Sequence, residues 1–400
     1  MQDVTAAQPR LAANPTAESR ATPQRPAPRP SLSERWVFLR NRLLRSARFQ
    51  RFASAFPLTR PVATARAQEV FDLCAGFVYS QILSAHVSLG LLDVLADDAR
   101  TFDELAALTG LDDEAARCLL NGGVAIKLLE RLPGDRFTLG ARGAALSCNA
   151  AALAMVRHHA LLYDDLRDPL ALLSGESQAT RLATYWGYAA NDEAAKLSPD
   201  QTAGYTELMA DTQPMVAEEV IAAYDLTQHA CLMDVGGGNG AFVRAAAGAA
   251  PDLQLLVFDL PSVAAQARDK LKAAGLGHRA RALGGSFFDD PLPRDADAIS
   301  LVRILLDHDD AHALRILQAC HAALPPGGTL LIAEQMAETR GAEAMGDAYF
   351  GFYLFAMGKG RPRTSERLQQ LVREAGFDAV RQQRTNRPML TGLLVARKAA

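Results

Sequence analysis

Apolar positions recur at two different periods along this chain, and the change of period divides it. Over residues 32–56, LSERWVFLRNRLLRSARFQRFASAF, Trp36, Leu39, Leu43 and Ala47 fall at helical spacing and Leu44 widens the stripe. Phe38, Phe49 and Phe52 lie off that stripe. Arg35, Arg40, Arg42, Arg45, Arg48 and Arg51 fill much of the remainder. Such a basic helix with Trp and Phe suits an anionic membrane surface. It equally suits packing on its own protein or on a dimer partner. The stretch VFDLCAGFVYSQILSAHVSLGLLDVL (70–95) predicts a largely buried helix.

TFDELAALTG and then LDDEAARCLLNGGVAIKLLER predict a helix-turn-helix. Thr101 and Asp112 are its N-caps and Gly110 lies in the turn. LLERLPGDRFTLG predicts the wing that follows, with Gly134 and Asp135 at its tip. From residue 230 the period changes. Short apolar runs at 231–235, 254–258, 280–284, 297–302 and 328–333 are separated by helical stretches. That alternation predicts a parallel sheet with crossover helices. The end, FDAVRQQRTNRPMLTGLLVARK, predicts two strands closing the sheet as an antiparallel hairpin.

The expected fold is therefore α/β: a Rossmann-like domain over 176–400, preceded by a helical, winged-helix domain over 67–175. A basic amphipathic segment covers 31–66. Residues 1–30 hold six Pro and almost nothing bulky, which predicts a disordered tail.

Charge sharpens this picture. The chain has 400 residues and a net charge of −3. Residues 1–66 contain twelve Arg against Asp3, Glu18 and Glu34, about +9, so the remainder carries about −12. The asymmetry suggests that the N-terminal end meets something anionic. The second helix of the helix-turn-helix opens on Asp112, Asp113 and Glu114, where a reader of DNA would need positive charge. No nucleic-acid partner is expected, and the winged helix is read as a dimerisation or substrate-capping element. A regulator that keeps a cofactor fold as a sensor is the competing reading.

Cys74, Cys118, Cys148, Cys231 and Cys320 are scattered without a CxxC pair, so neither a disulfide framework nor a metal site is expected. No run of about 18 uninterrupted apolar residues occurs, so no membrane-spanning helix is expected. The N-terminal stretch lacks the apolar core of a signal peptide. The expected location is cytoplasmic, with peripheral contact at an inner or photosynthetic membrane.

Candidate chemistry centres on CLMDVGGGNG (231–240). A strand runs into Gly236, Gly237, Gly238 and Gly240, and an alanine-rich helix follows. Glycines allow a tight turn and close approach of backbone to a ligand. Asp259 ends the next strand, where an acid can accept hydrogen bonds from ribose hydroxyls. Gly236, Gly238 and Ala241 also satisfy a loose dinucleotide pattern, so a nicotinamide-dependent oxidoreductase is a second reading. Asp234, at the end of the first strand, is well placed for a cationic ligand. The late turn LPPGGTLLIAE (324–334) and the leading extra domain also favour S-adenosylmethionine.

With these features, LMDVGGGNG, FDLP (258–261), GSFFDDPLP (285–293), RILLDHDD (303–310) and LPPGG, residues 70–398 resemble class I methyltransferases. The resemblance is to the plant-type small-molecule O-methyltransferases with a winged-helix dimerisation domain. FPLTRPVATARAQEVFDLCAGFVYSQIL and HHALLYDDLRDPLALL are similar to a bacterial group within it, the hydroxyneurosporene (demethylspheroidene) O-methyltransferases of carotenoid synthesis. That resemblance implies S-adenosylmethionine as cofactor, a linear C40 carotenoid methylated on its tertiary C1 hydroxyl as acceptor, and a homodimer.

It also implies site residues. Gly236, Gly238 and Gly240 would approach the methionine part, and Asp259 with Leu260 the ribose. Ser286 and Phe287 match positions that contact adenine, although the family usually has Asp at position 286. Arg303 would lie beside the cofactor. The family pattern HDWxD, whose His deprotonates a phenol, aligns here with Leu306, Asp307, His308, Asp309 and Asp310. The base position is therefore Leu306. A second family acid aligns with Pro362, before Arg363 and Thr364.

A phenol, with a pKa of about 10 like Tyr, can be prepared by one His. An aliphatic alcohol is harder to ionise, so proton removal should coincide with methyl transfer, and positioning should supply much of the rate. The proton-acceptor candidates are His308, Asp307, and His158 or His159. Their alternative roles are adenine stacking, helix capping and buried hydrogen bonding respectively. DAYFGFYLFAMGKG (347–360) offers Tyr349, Phe350, Phe352, Tyr353 and Phe355 as the lining of an apolar channel, with Leu161, Leu162 and Tyr163 as its facing wall. The segment could equally be a core helix. A phenolic or polyketide acceptor is the alternative within the same activity.

Overall fold

The computed structural model describes residues 31–176, 180–186 and 212–400. The proline-rich stretch 1–30 lies outside the described residues. The chain divides into two units, 1–77 and 78–400.

In the first unit, the basic segment forms two helices rather than one, Leu32–Leu44 and Ala47–Ala55. Ser46 causes the break: its side chain accepts a hydrogen bond from the Phe49 N–H and starts a second helix. Ser31 and Glu34 close a capping box on the first. Neither helix contains a buried residue.

The following helix, Arg60–Ser88, runs on into the second unit. Its apolar residues were expected to be largely buried. Instead Val70, Phe71, Leu73 and Phe77 are exposed, Leu73 by 84%. An apolar pattern tells that a face seeks cover, not that the same chain supplies it. By length and composition this is also the one helix among the described residues that could cross a membrane. Arg66, Glu69 and Asp72 interrupt the apolar run in its first half.

In the second unit, strands β1 (Arg100–Thr101), β2 (Leu129–Leu132) and β3 (Arg136–Leu139) form an antiparallel sheet in the order β1-β3-β2. The helices Phe102–Thr109 and Asp113–Ala125 pack on it around Leu91, Leu105, Leu120, Leu129 and Phe137. Thr101 and Asp112 cap them as expected, and Gly110 takes the left-handed conformation at the turn. This is a winged helix.

The larger sheet contains β4 (Cys231–Val235), β5 (Gln254–Asp259), β6 (Ala280–Gly284), β7 (Ala298–Val302), β8 (Thr329–Glu334), β11 (Phe377–Gln383) and β12 (Gly392–Lys398). The two-stranded pair β9 (Met336–Ala337) and β10 (Arg363–Thr364) lies apart from it. The order is β11-β12-β8-β7-β4-β5-β6. The five strands β4 to β8 run parallel, whereas β12 is antiparallel to both β8 and β11. The five expected strands and the closing hairpin all form. One apolar layer on each face, centred on Phe242 and Val257 and on Ile299 and Leu317, buries the sheet on both sides. The order reverses direction between β4 and β7, and a ligand crevice opens at the carboxyl ends of strands around such a point.

Candidate active site

The carboxyl edge of the sheet assembles the cofactor candidates. After β4, Gly236, Gly238 and Gly240 have φ of 69°, 57° and 76°, the left-handed region that favours glycine. The helix Ala241–Ala249 follows at once. A Cβ on Gly236 would lie 2.5 Å from Ile304 Cδ1, and one on Gly237 2.7 Å from Asp234 Oδ2. A Cβ on Gly238 would meet nothing within 4 Å. The loop is thus packed on its protein side and open at Gly238.

Three of these parallel strands carry an acid at or beside their carboxyl end, Asp234 and Glu334 buried and Asp259 half-buried. Asp234, at the end of β4, accepts a 2.6 Å hydrogen bond from the Ser300 hydroxyl through Oδ1. Its other oxygen is buried without a partner. Burial above all, and then the nearby Asp259, push its pKa up to about 7. Asp259 accepts from the backbone N–H groups of Gly238 at 2.8 Å and Leu260 at 2.7 Å. Burial outweighs those bonds and pushes its pKa up to about 6. A buried and a half-buried carboxyl beside an open glycine turn fit a ligand with a cationic amino-acid end and a ribose. The unpartnered Asp234 oxygen is the feature that such a cation would satisfy.

The third acid, Glu334 at the end of β8, was missed in the sequence. It is fully buried, and Oε2 accepts the Leu306 N–H at 3.1 Å. Its Oε1 has no partner, and burial pushes its pKa up to about 7. The signal was present: LLIAE, like LMDV and LLVFD, is an apolar strand with an acid near its carboxyl end.

The loop after β7 links the cofactor edge to the aromatic segment. Arg303 has φ 61°, an uncommon conformation for a residue with a side chain, of the kind that concentrates at functional sites. Its guanidinium donates to the Thr212 hydroxyl at 2.6 Å, and its positive charge reaches both Tyr349 and Tyr353. Arg363, almost wholly buried, clamps the loop from the other side. It donates to the carbonyls of Leu305 at 2.7 Å and His308 at 2.6 Å, and pairs with Asp310 at 2.8 Å.

His308 lies among Phe287, Phe288 and His312, edge-on to both phenylalanines. Burial, with the neighbouring His312, pushes its pKa down to about 4. Phe287 approaches the glycine turn at Gly236. Ser286 is tied into its own turn, with its hydroxyl donating to Asp289 and its N–H to Asp290. Asp307 is buried, and its charge reaches Tyr353.

On the acceptor side, a π-helical turn, Ala344–Tyr349, runs into the helix Phe350–Met357. Such turns are frequent at functional sites. Two His–Tyr pairs join this segment to the helix Ala150–Asp165: His158 Nε2 to Tyr353 Oη and His159 Nε2 to Tyr349 Oη, both 2.7 Å. Trp186 Nε1 donates to the same Tyr353 oxygen at 2.8 Å. Leu306 is buried with Leu162, Trp186, Tyr353 and Met357. Tyr163 reaches the cluster through the His159 ring. Phe352, expected in the lining, is instead 39% exposed. Helical geometry explains this: Tyr349, Tyr353 and Met357 share one face, at a spacing of four, and Phe352 sits off it.

An O-methyltransferase domain model matches residues 163–378, and an O-methyltransferase dimerisation domain model matches 71–146. The chain therefore belongs to the O-methyltransferase family, and its fold is that of the class I, S-adenosylmethionine-dependent methyltransferases with a leading helical domain. It is 43% identical, over 85% of its length and 89% of the relative's, to a demethylspheroidene O-methyltransferase of Cereibacter sphaeroides. It is 39% identical, over 89% of its length and 88% of the relative's, to the enzyme of that name from Rhodobacter capsulatus. Among solved structures, mitomycin 7-O-methyltransferase MmcR is 25% identical with a TM-score of 0.70, over 84% of this chain and 99% of that one.

Proposed function

We propose that this protein transfers a methyl group from S-adenosylmethionine to the tertiary C1 hydroxyl of an acyclic carotenoid. The observation that carries the acceptor is the 43% identity, over 85% of the chain, to a demethylspheroidene O-methyltransferase. The site supports it. Leu306 stands where a phenol methylase would place its base, and it faces an apolar aromatic cluster.

Bound S-adenosylmethionine supplies a sulfonium methyl group, already a strong electrophile. Asp234 and the glycine turn would hold its cationic end, and Asp259 its ribose. The aromatic cluster of Tyr349, Tyr353 and Trp186 excludes water and aligns the hydroxyl oxygen with the methyl carbon. A methyl group supplied there would pass to the hydroxyl oxygen, and the hydroxyl proton would go to a side chain of this protein.

The proton acceptor is chosen by place and basicity: Glu334 Oε2 accepts the N–H of Leu306, which packs with Trp186 and Tyr353. His308 and His158, both pushed down to about 4 by burial, are weak acceptors. Glu334, pushed up to about 7 with one oxygen unpartnered beneath Leu306, is better matched to neutral pH. We assign it this role. His159 and Tyr349 position the acceptor, and Asp307 supports the loop. The working form is a homodimer, in which a second copy covers the exposed apolar residues Val70 to Phe77, where the dimerisation domain begins.

The test is incubation with labelled S-adenosylmethionine and either a hydroxylated acyclic carotenoid or a panel of phenols. Label in the carotenoid ether supports the reading; label in phenols alone overturns the acceptor.

A further inference from the structure

The helices Leu32–Leu44 and Ala47–Ala55 present an unusual combination. Each is capped at its N-terminus, yet neither buries a residue. Isolated helices shorter than roughly 12–15 residues are marginal in water, so helices of 13 and 9 residues need a surface to lie on. Every large apolar side chain they carry is exposed, from Leu32 at 83% down to Phe49 at 36%. Interleaved with these are Arg35, Arg40, Arg42, Arg45, Arg48 and Arg51, against Glu34 alone.

We propose that residues 31–58 form a membrane-docking surface that lies flat on an anionic lipid bilayer. Charge complementarity selects this occupant. Six guanidinium groups against one acid, a net +5, suit anionic headgroups, while Trp36, Leu39 and Leu43 on the first helix and Phe49, Phe52 and Phe56 on the second enter the acyl boundary. Two-fold pairing of this segment with the same segment of a second copy would set +5 against +5. The arrangement rests on the carotenoid reading above, because so apolar an acceptor resides in the bilayer. Docking would bring the enzyme to its substrate rather than require the substrate to cross water.

The test uses the full chain and sedimentation with vesicles of phosphatidylcholine alone or with about a third phosphatidylglycerol. Two variants accompany it: a fourfold Arg→Gln change at positions 40, 42, 45 and 48, and W36A with F52A. The wild type should bind the anionic vesicles, lose that binding in high salt, and bind neutral vesicles far less. The fourfold change should weaken anionic binding roughly a hundredfold or more, at about a tenfold loss for every one to two Arg. Circular dichroism and methylation of detergent-dispersed carotenoid should be unchanged in both variants. Equal binding to neutral vesicles, binding retained by the fourfold variant, or no binding at all would overturn the proposal. Conversion of a dimer to a monomer by the variants would assign the segment to a subunit contact and overturn it too. Vesicle binding without any methylated carotenoid would instead count against the acceptor and leave the docking surface standing.

Discussion

Ser300 and Asp234 sit side by side on β7 and β4, and the 2.6 Å bond from the Ser300 hydroxyl satisfies only one of the two Asp234 oxygens. The other is buried at the glycine turn without a partner. A carboxyl raised to about 7 in the free protein should be drawn into its ionised form by a cationic ligand. Its stability sign follows. A raised carboxyl favours the folded state below its unfolded pKa of about 3.9, and that advantage is lost as pH rises through the folded value. From about pH 4 to pH 7 the free protein should therefore lose thermal stability, and the loss should level off above that. S-adenosylmethionine should restore it, with a melting shift that grows over that range. Asp234→Asn should lower cofactor affinity by on the order of tenfold to a hundredfold, about 1.4–2.7 kcal/mol, and flatten the pH dependence. Thermal melts across pH, with and without ligand, check both.

The glycine turn should separate binding from folding. Gly238→Ala places a methyl group where no protein atom lies within 4 Å, at a left-handed backbone costing about 1–2 kcal/mol. Cofactor affinity should fall at least tenfold while the fold survives. Gly236→Ala drives a methyl group to 2.5 Å from Ile304 and should destabilise the protein more. Calorimetric titration and melting of the two variants should rank them in opposite orders.

Tyr353 Oη accepts from Trp186 and hydrogen-bonds to His158. Tyr353→Phe leaves two buried nitrogens without their partner, at a cost of about 1–3 kcal/mol for each unsatisfied group. Tyr349→Phe removes one partner, from His159. Tyr353→Phe should therefore lower the melting temperature more than Tyr349→Phe. Both should raise KM for the carotenoid and leave KM for S-adenosylmethionine within about twofold, as expected where only acceptor binding is touched. Steady-state kinetics in detergent check this.

The assignment of the proton acceptor predicts a pH profile. With Glu334 raised to about 7, kcat should rise with pH through a single ionisation near neutrality. Glu334→Gln should lower kcat by about 10²-fold, a typical contribution from proton transfer, and abolish that ionisation. His308→Ala should leave the profile's shape intact, because His308 is already neutral above about 4. A profile that survives Glu334→Gln unchanged would remove Glu334 from the mechanism.

The architecture was legible because it rests on local pattern. Strand runs, the LMDVGGGNG turn, the caps at Thr101 and Asp112 and the closing hairpin each follow from spacing within a few residues. What stayed hidden depends on contacts far apart in sequence. Whether Leu73 and Phe77 are covered depends on a surface outside the chain. The difference between His158, on Tyr353, and His159, on Tyr349, arises from one step round a helix meeting another some 190 residues later. Phe352 turns outward because its neighbours at a spacing of four define the inner face. Glu334 went unnoticed because a single acid at a strand end carries no motif; only the fold sets it beside Asp234 and Asp259 on one sheet edge.

The central claim is methyl transfer to an apolar aliphatic alcohol by a site without a phenol-deprotonating histidine at position 306. The most direct measurement is single-turnover transfer from methyl-labelled S-adenosylmethionine, with the purified protein and a detergent-dispersed acyclic carotenoid carrying a C1 tertiary hydroxyl. A catechol-type phenol at equal concentration serves as competitor. The expected result is label in the carotenoid ether, in stoichiometric yield with S-adenosylhomocysteine, and none in the phenol. Label in the phenol with the carotenoid untouched would contradict it.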